Sequence, residues 1–136
     1  MNREITVTDN APVEYPFRGA NEENGYRLFP ADMENDDLIA FHGTAEANLQ
    51  SIIDEGFTFA GTLQSLSFAK SSSFALPYAC SARTEASPNG CVLAVRFETL
   101  DKPGIVPETS IIHVYKLDEQ PKVIGYCVVP ANYRFV

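Results

Sequence analysis

The sequence predicts a single mixed α+β domain, and three observations point to that fold class. The hydrophobic patterns run strand, helix, strand, helix and then three strands, so the strands gather near the end instead of alternating regularly with helices. The chain has 136 residues, 45% of them apolar, which is enough to bury one core without metals or disulfides. Charged residues make up only 21%, unlike a disordered chain. We therefore predict one domain, residues 1–136.

Residues 1–37 are predicted to form an irregular arm packed on a core of residues 38–136. They contain a short alternating stretch at residues 5–7, turn-forming prolines, and an acidic cluster at residues 32–37. The arm is too apolar for a free tail, because it carries Tyr15, Phe17, Tyr26, Leu28 and Phe29. We expect it to cover part of the core or to flank a cleft.

The core is predicted to begin with a buried strand followed by a helix. The apolar run at residues 38–41 is typical of a strand that ends at the triplet His42, Gly43 and Thr44. Thr44 is a suitable N-cap for the helix, and Gly56 is placed to end it in a left-handed conformation. The helix carries its apolar residues at helical spacing: Leu49, Ile52 and Ile53.

A glycine turn at Gly61 and four further strands complete the predicted core. The first, residues 63–69, alternates so that Ser65 and Ser67 share one face. A short helix capped at residues 71–73 follows, and its Pro77 is tolerable only near the helix start. The last three strands are predicted at residues 91–97, 110–115 and 123–129.

The charge of the chain bears on its partners. The formal net charge is -8, so the field of the protein repels phosphate backbones, and direct nucleic-acid binding is not expected. An acidic surface attracts basic proteins, including those that bind nucleic acid, although ordinary solubility explains such a charge more often.

The cysteines and the apolar runs argue against a disulfide-stabilised, metal-binding or membrane-spanning protein. Cys80, Cys91 and Cys127 are odd in number and lack zinc-like spacing, so we expect reduced thiols and no structural metal. The chain starts without an apolar signal segment and has no run of bilayer-spanning length. We expect a cytoplasmic protein with no membrane partner, acting in the cell that makes it or in a target cell that receives it.

One histidine stands where a ligand site would be expected. His42 follows a buried strand, Gly43 would let a ligand approach the backbone, and free amides at a helix start bind polar groups. From these residues alone, a structural histidine and an ordinary turn glycine are the commoner outcome.

The residues after His42 extend the pattern in a definite order: Gly43-Thr44, Asn48, Ile52, Gly56-Phe57, Gly61, Phe68-Ala69, Ser73, Tyr78-Ala79, Gly90 and Val92-Leu93. In order and spacing they resemble the core of the poly- and mono-ADP-ribosyltransferase superfamily over residues 38–98. The resemblance implies mixed or antiparallel sheets with a few short helices around an NAD cleft. It also implies that NAD is the substrate and that no metal takes part.

The resemblance assigns roles to individual residues. In the family the histidine bonds the ribose on the nicotinamide side, the glycine backbone holds the nicotinamide amide, and an aromatic ring stacks on the nicotinamide. These roles transfer to His42, Gly43 and Tyr78. A stacked ring would fix the angle at which the glycosidic bond is presented.

Several positions depart from the family pattern. Ser67 replaces the tyrosine that precedes Phe-Ala in the poly branch, and the strand with Ser65 and Ser67 is more similar to the arginine- and toxin-type branch. A serine expected near nicotinamide maps onto Ala75, which leaves Ser73 as a nearby substitute. The implied NAD-binding set is therefore His42, Gly43, Thr44, Ser65, Ser67, Ser73 and Tyr78, although strand edges and helix caps also use serine routinely.

The chemistry also requires a carboxylate, because cleavage of the nicotinamide–ribose bond creates positive charge on the ribose. The candidates are Glu108 and Glu119, with Glu108 preferred because the family's glutamate precedes a penultimate strand. A different register puts Ile111 at that place, as in branches that transfer single units or are inactive. Either glutamate could also be an ordinary solvated charge, and we expect His113 to be structural.

These observations favour a mono-ADP-ribosyltransferase of toxin or effector type, with catalytic candidates His42, Glu108 and Glu119, NAD as substrate and a target protein as acceptor. The alternative is a catalytically degenerate relative that acts as an acidic protein-binding or inhibitory module. An RNA 2′-phosphotransferase-like activity is less favoured, because Arg83 and Arg96 are the only arginines in the matched region.

Overall fold

The protein forms one mixed seven-stranded sheet in a computed structural model that describes residues 11–59 and 65–134. The strands are β1 (Val13–Glu14), β2 (Ile39–Ala45), β3 (Leu66–Ala69), β4 (Gly90–Arg96), β5 (Ile105–Pro107), β6 (Ile111–Val114) and β7 (Lys122–Val129). The helices are α1 (Ala31–Glu34), α2 (Leu49–Glu55) and α3 (Ser72–Ser81), with 3-10 turns at Glu22–Asn24, Glu46–Asn48 and Leu117–Glu119. The mixed α+β class predicted from the sequence is confirmed.

The strand order β1-β7-β4-β2-β3-β6-β5 divides the sheet into two halves at the contact between β2 and β3. We call β1, β7, β4 and β2 the closed half, and β3, β6 and β5 the open half. One face of the closed half packs against the arm and α3 through a first cluster: Phe29, Met33, Ile39, Phe41, Leu76, Val92 and Cys127. The other face joins both halves through a second cluster: Ala40, Phe57, Leu66, Phe68, Leu93, Val95, Ile112 and Val114.

The burial patterns of the two halves follow from this arrangement. Six consecutive residues of β4 are buried, because the strand lies in the centre of the sheet and is covered on both faces. In β3 and β6 burial alternates, with Leu66, Phe68, Ile112 and Val114 buried and the intervening residues partly or fully exposed. The open half therefore has one face packed and one face toward solvent.

The arm lies against the closed half. Val13 pairs in parallel with Gly125, which adds β1 to the sheet next to β7. Phe29 packs against Phe41 with ring centroids 5.2 Å apart, and Met33 is buried with it. The arm is thus not irregular throughout, since backbone pairing to β7 and the short helix α1 order parts of it. The alternating stretch at residues 5–7 lies outside the described residues.

The prediction that Thr44 caps a helix is wrong. Strand β2 continues through the triplet to Ala45, because all seven of its residues pair with β4, from Ile39 with Arg96 to Ala45 with Gly90. A 3-10 turn separates the strand from α2, and the Thr44 hydroxyl accepts a hydrogen bond from the Asn48 side chain at 3.0 Å. Helix α2 does end at Gly56, whose φ of 85° and ψ of 177° form an extended conformation open to glycine.

The other predicted elements are present with shifted bounds. Ser71 caps α3 by accepting from the Ser73 amide, and Pro77 lies in the second helical turn. The start of the strand predicted at residues 63–69, together with Gly61, falls outside the described residues. Strand β5 was not predicted, since three residues that include Pro107 give too short a pattern.

Two further expectations concern the state of the cysteines and the presence of membrane-spanning segments. Cys80, Cys91 and Cys127 are free thiols, and burial raises the pKa of both Cys91 and Cys127 to about 12. These two side chains are therefore uncharged and unreactive at neutral pH. Within residues 11–59 and 65–134, no helix has the length and apolar character needed to cross a bilayer.

Candidate functional site

Two of the predicted site residues, His42 and Ser67, meet where β2 and β3 stop pairing. These two strands share a single residue pair among the described residues, Phe41 with Ala69. Two residues further along, the Ser67 carbonyl lies 3.1 Å from Nδ1 of the His42 ring. A side chain thus takes the place of the next backbone pair, and we call this point of divergence the junction.

His42 is held at the junction in one tautomer. Because a carbonyl oxygen only accepts, Nδ1 must carry the proton that bonds Ser67. The ring packs against Phe57 and Phe68, with centroids 5.2 and 5.5 Å away. This burial lowers the pKa of His42 below its ordinary value, although the bond to the Ser67 carbonyl opposes the shift. The ring is therefore neutral at pH 7, with Nε2 as an acceptor.

Gly43 has a structural reason to be glycine that the sequence did not reveal. A Cβ at this position would lie 2.3 Å from the Ala75 carbonyl oxygen and 2.6 Å from the Ala79 amide, so α3 could not lie against β2. Gly90, in the neighbouring strand, has the same relation to Ala79. The expectation that Gly43 opens space for a ligand is therefore wrong for this face of the sheet, which α3 fills.

The backbone N–H and C=O groups of Gly43 could still bind a ligand. The Phe97 amide bonds the Leu38 carbonyl, and backbone groups along an antiparallel strand alternate between its two edges. By this alternation, the N–H and C=O of Gly43 point toward β3 and not toward β4. No β3 residue is paired with Gly43 among those described. The peptide groups of Gly43 thus face the junction, where a ligand amide could bond to them.

Ser67, His113 and Glu108 form a polar series that leads away from His42 across the open half. Ser67 pairs with His113 across the strands, and its hydroxyl lies 3.2 Å from Nδ1 of that histidine. Nε2 of His113 lies 3.5 Å from a Glu108 carboxylate oxygen. The two ends predicted from the sequence, His42 and Glu108, are therefore connected through Ser67 and His113.

Tyr78, to which the resemblance gives the nicotinamide-stacking role, lies beside Gly43. Its Cβ is 3.0 Å from the position of a Cβ built on Gly43, and its side chain is 68% exposed. Phe74, one helical turn earlier in α3, is also exposed. A ring on this face of α3 is free to stack on a flat ligand beside the junction.

The remaining predicted binding residues are accounted for by local structure. Thr44 is buried and fixes the turn through Asn48. Ser73 bonds the capping hydroxyl of Ser71 at the start of α3. Ser65 directly precedes β3 and is partly buried. Ser67 is thus the one serine of the predicted set that the structure brings into contact with His42.

The structure separates the two candidate carboxylates. Glu108 belongs to the turn between β5 and β6, where its amide bonds the Ile111 carbonyl at 2.8 Å and its side chain is 60% exposed. Glu119 lies in the last 3-10 turn, 3.9 Å from the Lys102 ammonium group. Ile111, the residue that the alternative register puts in place of the glutamate, lies in β6 and pairs with Ala69.

Sequence reasoning missed two partners. His113 is hydrogen-bonded in the sheet, as expected of a structural histidine, but the sequence did not show that its partners are Ser67 and Glu108; its alternation with Ile111 could have indicated the shared face. Glu34 is buried, accepts from the Ser72 hydroxyl and from the Phe29 amide, and so ties the arm to the start of α3. The acidic cluster at residues 32–37 gave no sign that one member is buried.

Two cavities lie away from the junction. One of about 210 Å³ lies between α2 and the last 3-10 turn, lined by Ile52, Ile53, Phe57, Gln120 and Val123 among others. The other, about 370 Å³, is a groove beside Glu46 and Ser87. Within the described part of the chain, no three His, Cys, Asp or Glu side chains are grouped to hold a metal ion.

Comparison with known proteins adds no relative to this description. No protein-family model matches the chain, and a search of curated proteins returns no match. Any function must therefore be argued from the geometry of the junction.

Proposed function

We propose that the chain is an NAD-consuming mono-ADP-ribosyltransferase of toxin or effector type, acting on a target protein in the cytoplasm. The observation that supports this most is the connection of His42 to Glu108 through Ser67 and His113. Ribose recognition requires a neutral acceptor nitrogen, and stabilisation of the oxocarbenium-like charge requires a carboxylate. The two ends of this short series, His42 and Glu108, would supply them.

The residues of the junction fit the parts of NAD. Nε2 of neutral His42 can accept a hydrogen bond from a ribose hydroxyl, while Nδ1 remains bound to the Ser67 carbonyl. The amide of nicotinamide can both donate to and accept from the backbone of Gly43. The exposed Tyr78 ring lies beside Gly43 and can cover the nicotinamide face.

The proposed reaction breaks one bond and forms one bond. The bond between nicotinamide nitrogen and ribose C1′ breaks, and nicotinamide leaves with the bonding electron pair. A nucleophile of the target protein bonds to C1′ and loses its proton to a base. The Glu108 carboxylate offsets the positive charge that develops on the ribose, which is the most demanding part of the step.

The test is nicotinamide release from NAD by the purified protein, with and without a cell lysate that supplies acceptors. We expect His42→Ala and Glu108→Gln each to slow release about 100-fold or more. Glu98→Gln is the matched control, since this carboxylate is 91% exposed and pairs only at the surface with Lys102. No release by the wild type, with or without lysate, would refute the proposal.

Glu119→Gln forms a competing arm of the same experiment. If Glu119→Gln releases no nicotinamide while Glu108→Gln does, the carboxylate that acts is Glu119 and the geometric argument for Glu108 fails. Equal activity of both variants and the wild type would leave the reaction without a carboxylate and contradict the proposed chemistry.

A second function, an acidic module that binds a basic protein without catalysis, is favoured by one observation. The alternative register assigns the place of the family's glutamate to Ile111, which lies in β6, and Glu108 is largely exposed in a turn. The two functions differ in NAD binding. A transferase is stabilised against unfolding by NAD, and an occluding module is not, so a thermal shift measured with NAD separates them.

A further inference from the structure

His113 contacts two polar side chains of the open half, Ser67 and Glu108. On the solvent-facing side of β3 and β6, Ile111 and His113 alternate opposite Ala69 and Ser67. No carboxylate stands in the strand itself. Glu108, in the turn before β6, contacts this face through His113.

Glu108 would be poorly placed without His113. Its side chain is 60% exposed, and a solvated carboxylate on a turn samples several rotamers. Its carboxylate contacts Nε2 of His113 at 3.5 Å. The imidazole is itself fixed, because its side chain is only 23% exposed and Nδ1 contacts the Ser67 hydroxyl at 3.2 Å.

The protons of this series can be assigned from the chemistry of its members. A carboxylate only accepts, so a hydrogen bond from His113 to Glu108 requires the proton on Nε2, the nitrogen that faces Glu108. In the neutral ring Nδ1 then has a lone pair, and Ser67 donates its hydroxyl proton to it. The Ser67 oxygen keeps its lone pairs for a ligand hydroxyl at the junction, next to the carbonyl that holds His42.

We propose that His113 is a positioning residue that holds the Glu108 carboxylate beside the open half and accepts the Ser67 hydroxyl proton, so that the Ser67 oxygen keeps its lone pairs for a ligand at the junction. This inference rests on the proposed function, because it assigns Glu108 its place in the same site. His113 does not bind NAD itself; it acts through the two side chains that it connects.

Two amide substitutions separate its two contacts. In His113→Gln the side-chain amide extends to the region of Nε2 and can still donate to Glu108. In His113→Asn the shorter amide can replace only Nδ1, toward Ser67. His113→Phe keeps the ring volume and removes both contacts, and its unfolding curve shows whether it remains folded.

The first measurement is kcat and KM for NAD in nicotinamide release. We expect His113→Phe to lower kcat about 100-fold with little change in KM, because the carboxylate is misplaced while the NAD contacts remain. His113→Gln should recover most of the rate and His113→Asn should not. Normal turnover by His113→Phe, or equal rescue by both amides, would overturn the proposal.

The second measurement needs no turnover. Long-range ¹H–¹⁵N spectra of the imidazoles report which nitrogen of His113 is protonated in the neutral ring. We expect the Nε2–H tautomer to predominate in the wild type. In Glu108→Gln we expect it to predominate no longer over the Nδ1–H tautomer. An Nδ1–H ring in the wild type would overturn the inference, whereas a wild type that releases no nicotinamide but shows Nε2–H would refute the proposed function and leave this geometry standing.

Discussion

The closed and open halves of the sheet differ in how their faces are used. In the closed half, β2 and β4 are covered on one side by α3 and the arm and on the other by the second cluster. In the open half, Ser67 and Tyr115 remain exposed and His113 is partly buried on the uncovered face. Polar residues such as Ser67 can be retained on the open half because they do not have to be fully desolvated there.

The difference predicts which substitutions change the stability of the protein and which change its handling of a ligand. Substitutions in the closed half should affect the free energy of unfolding, and substitutions of the open face should affect ligand handling with little effect on stability. His42 lies between the two halves, so it should affect both. Each of the following changes tests that division.

Gly43→Ala is expected to have the largest effect on stability. The new methyl group would lie 2.3 Å from the Ala75 carbonyl oxygen, and backbone atoms of α3 would have to move. We expect a loss of about 3 kcal/mol in the free energy of unfolding, measured by urea denaturation. The matched change in the open half, Ser67→Ala, should cost less than about 0.5 kcal/mol. Equal losses would show that the two halves do not differ.

Glu34→Ala is expected to cost about 2 kcal/mol, because it leaves the buried Ser72 hydroxyl and the Phe29 amide without their acceptor. Denaturation should show the arm and the core unfolding together in the wild type. Glu108→Ala, a carboxylate removed from the open half, is the control and should change stability by less than about 0.5 kcal/mol. A loss as small as the control's would mean that Glu34 does not tie the arm to α3.

The smallest effect is the pH dependence due to His42. Burial lowers its folded-state pKa below the ordinary 6.5, so the unfolded chain binds a proton first as the pH falls. The contribution is fully present above pH 6.5 and is lost below it, at no more than about 1.4 kcal/mol per pH unit. His42→Gln should therefore lose less stability than the wild type between pH 6.5 and 5. A steeper loss in the variant would contradict the burial of His42.

Much of the fold could be predicted because burial leaves a pattern in the chain. The continuous apolar run of β4 and the alternation in β3 both come from the number of faces that are covered. The end of β2 could not be predicted, since the pairing of Ala45 with Gly90 extends the strand past the residues that appear to start a helix. Strand β1 is likewise set by a partner distant in the chain, since Val13 pairs with Gly125, whereas the short β5 is set by hairpin pairing with the adjacent β6.

The candidate site could also be predicted only in part. His42, Gly43 and Tyr78 were recognisable by their order along the chain, and the structure brings Tyr78 against Gly43. The role of His113 could not be derived, because a histidine in a strand shows its partners only when the neighbouring strand and its register are known.

The sequence by itself determined the mixed α+β class, the core strands and the residues of the histidine triplet, because hydrophobic periodicity and local turn chemistry are written along the chain. Only the tertiary structure decided that β2 and β3 part at Ser67, that α3 requires glycine at position 43, and that Glu108 reaches His113. These contacts join residues 25 or more positions apart, or cross a turn whose geometry the sheet sets, and no local pattern encodes them.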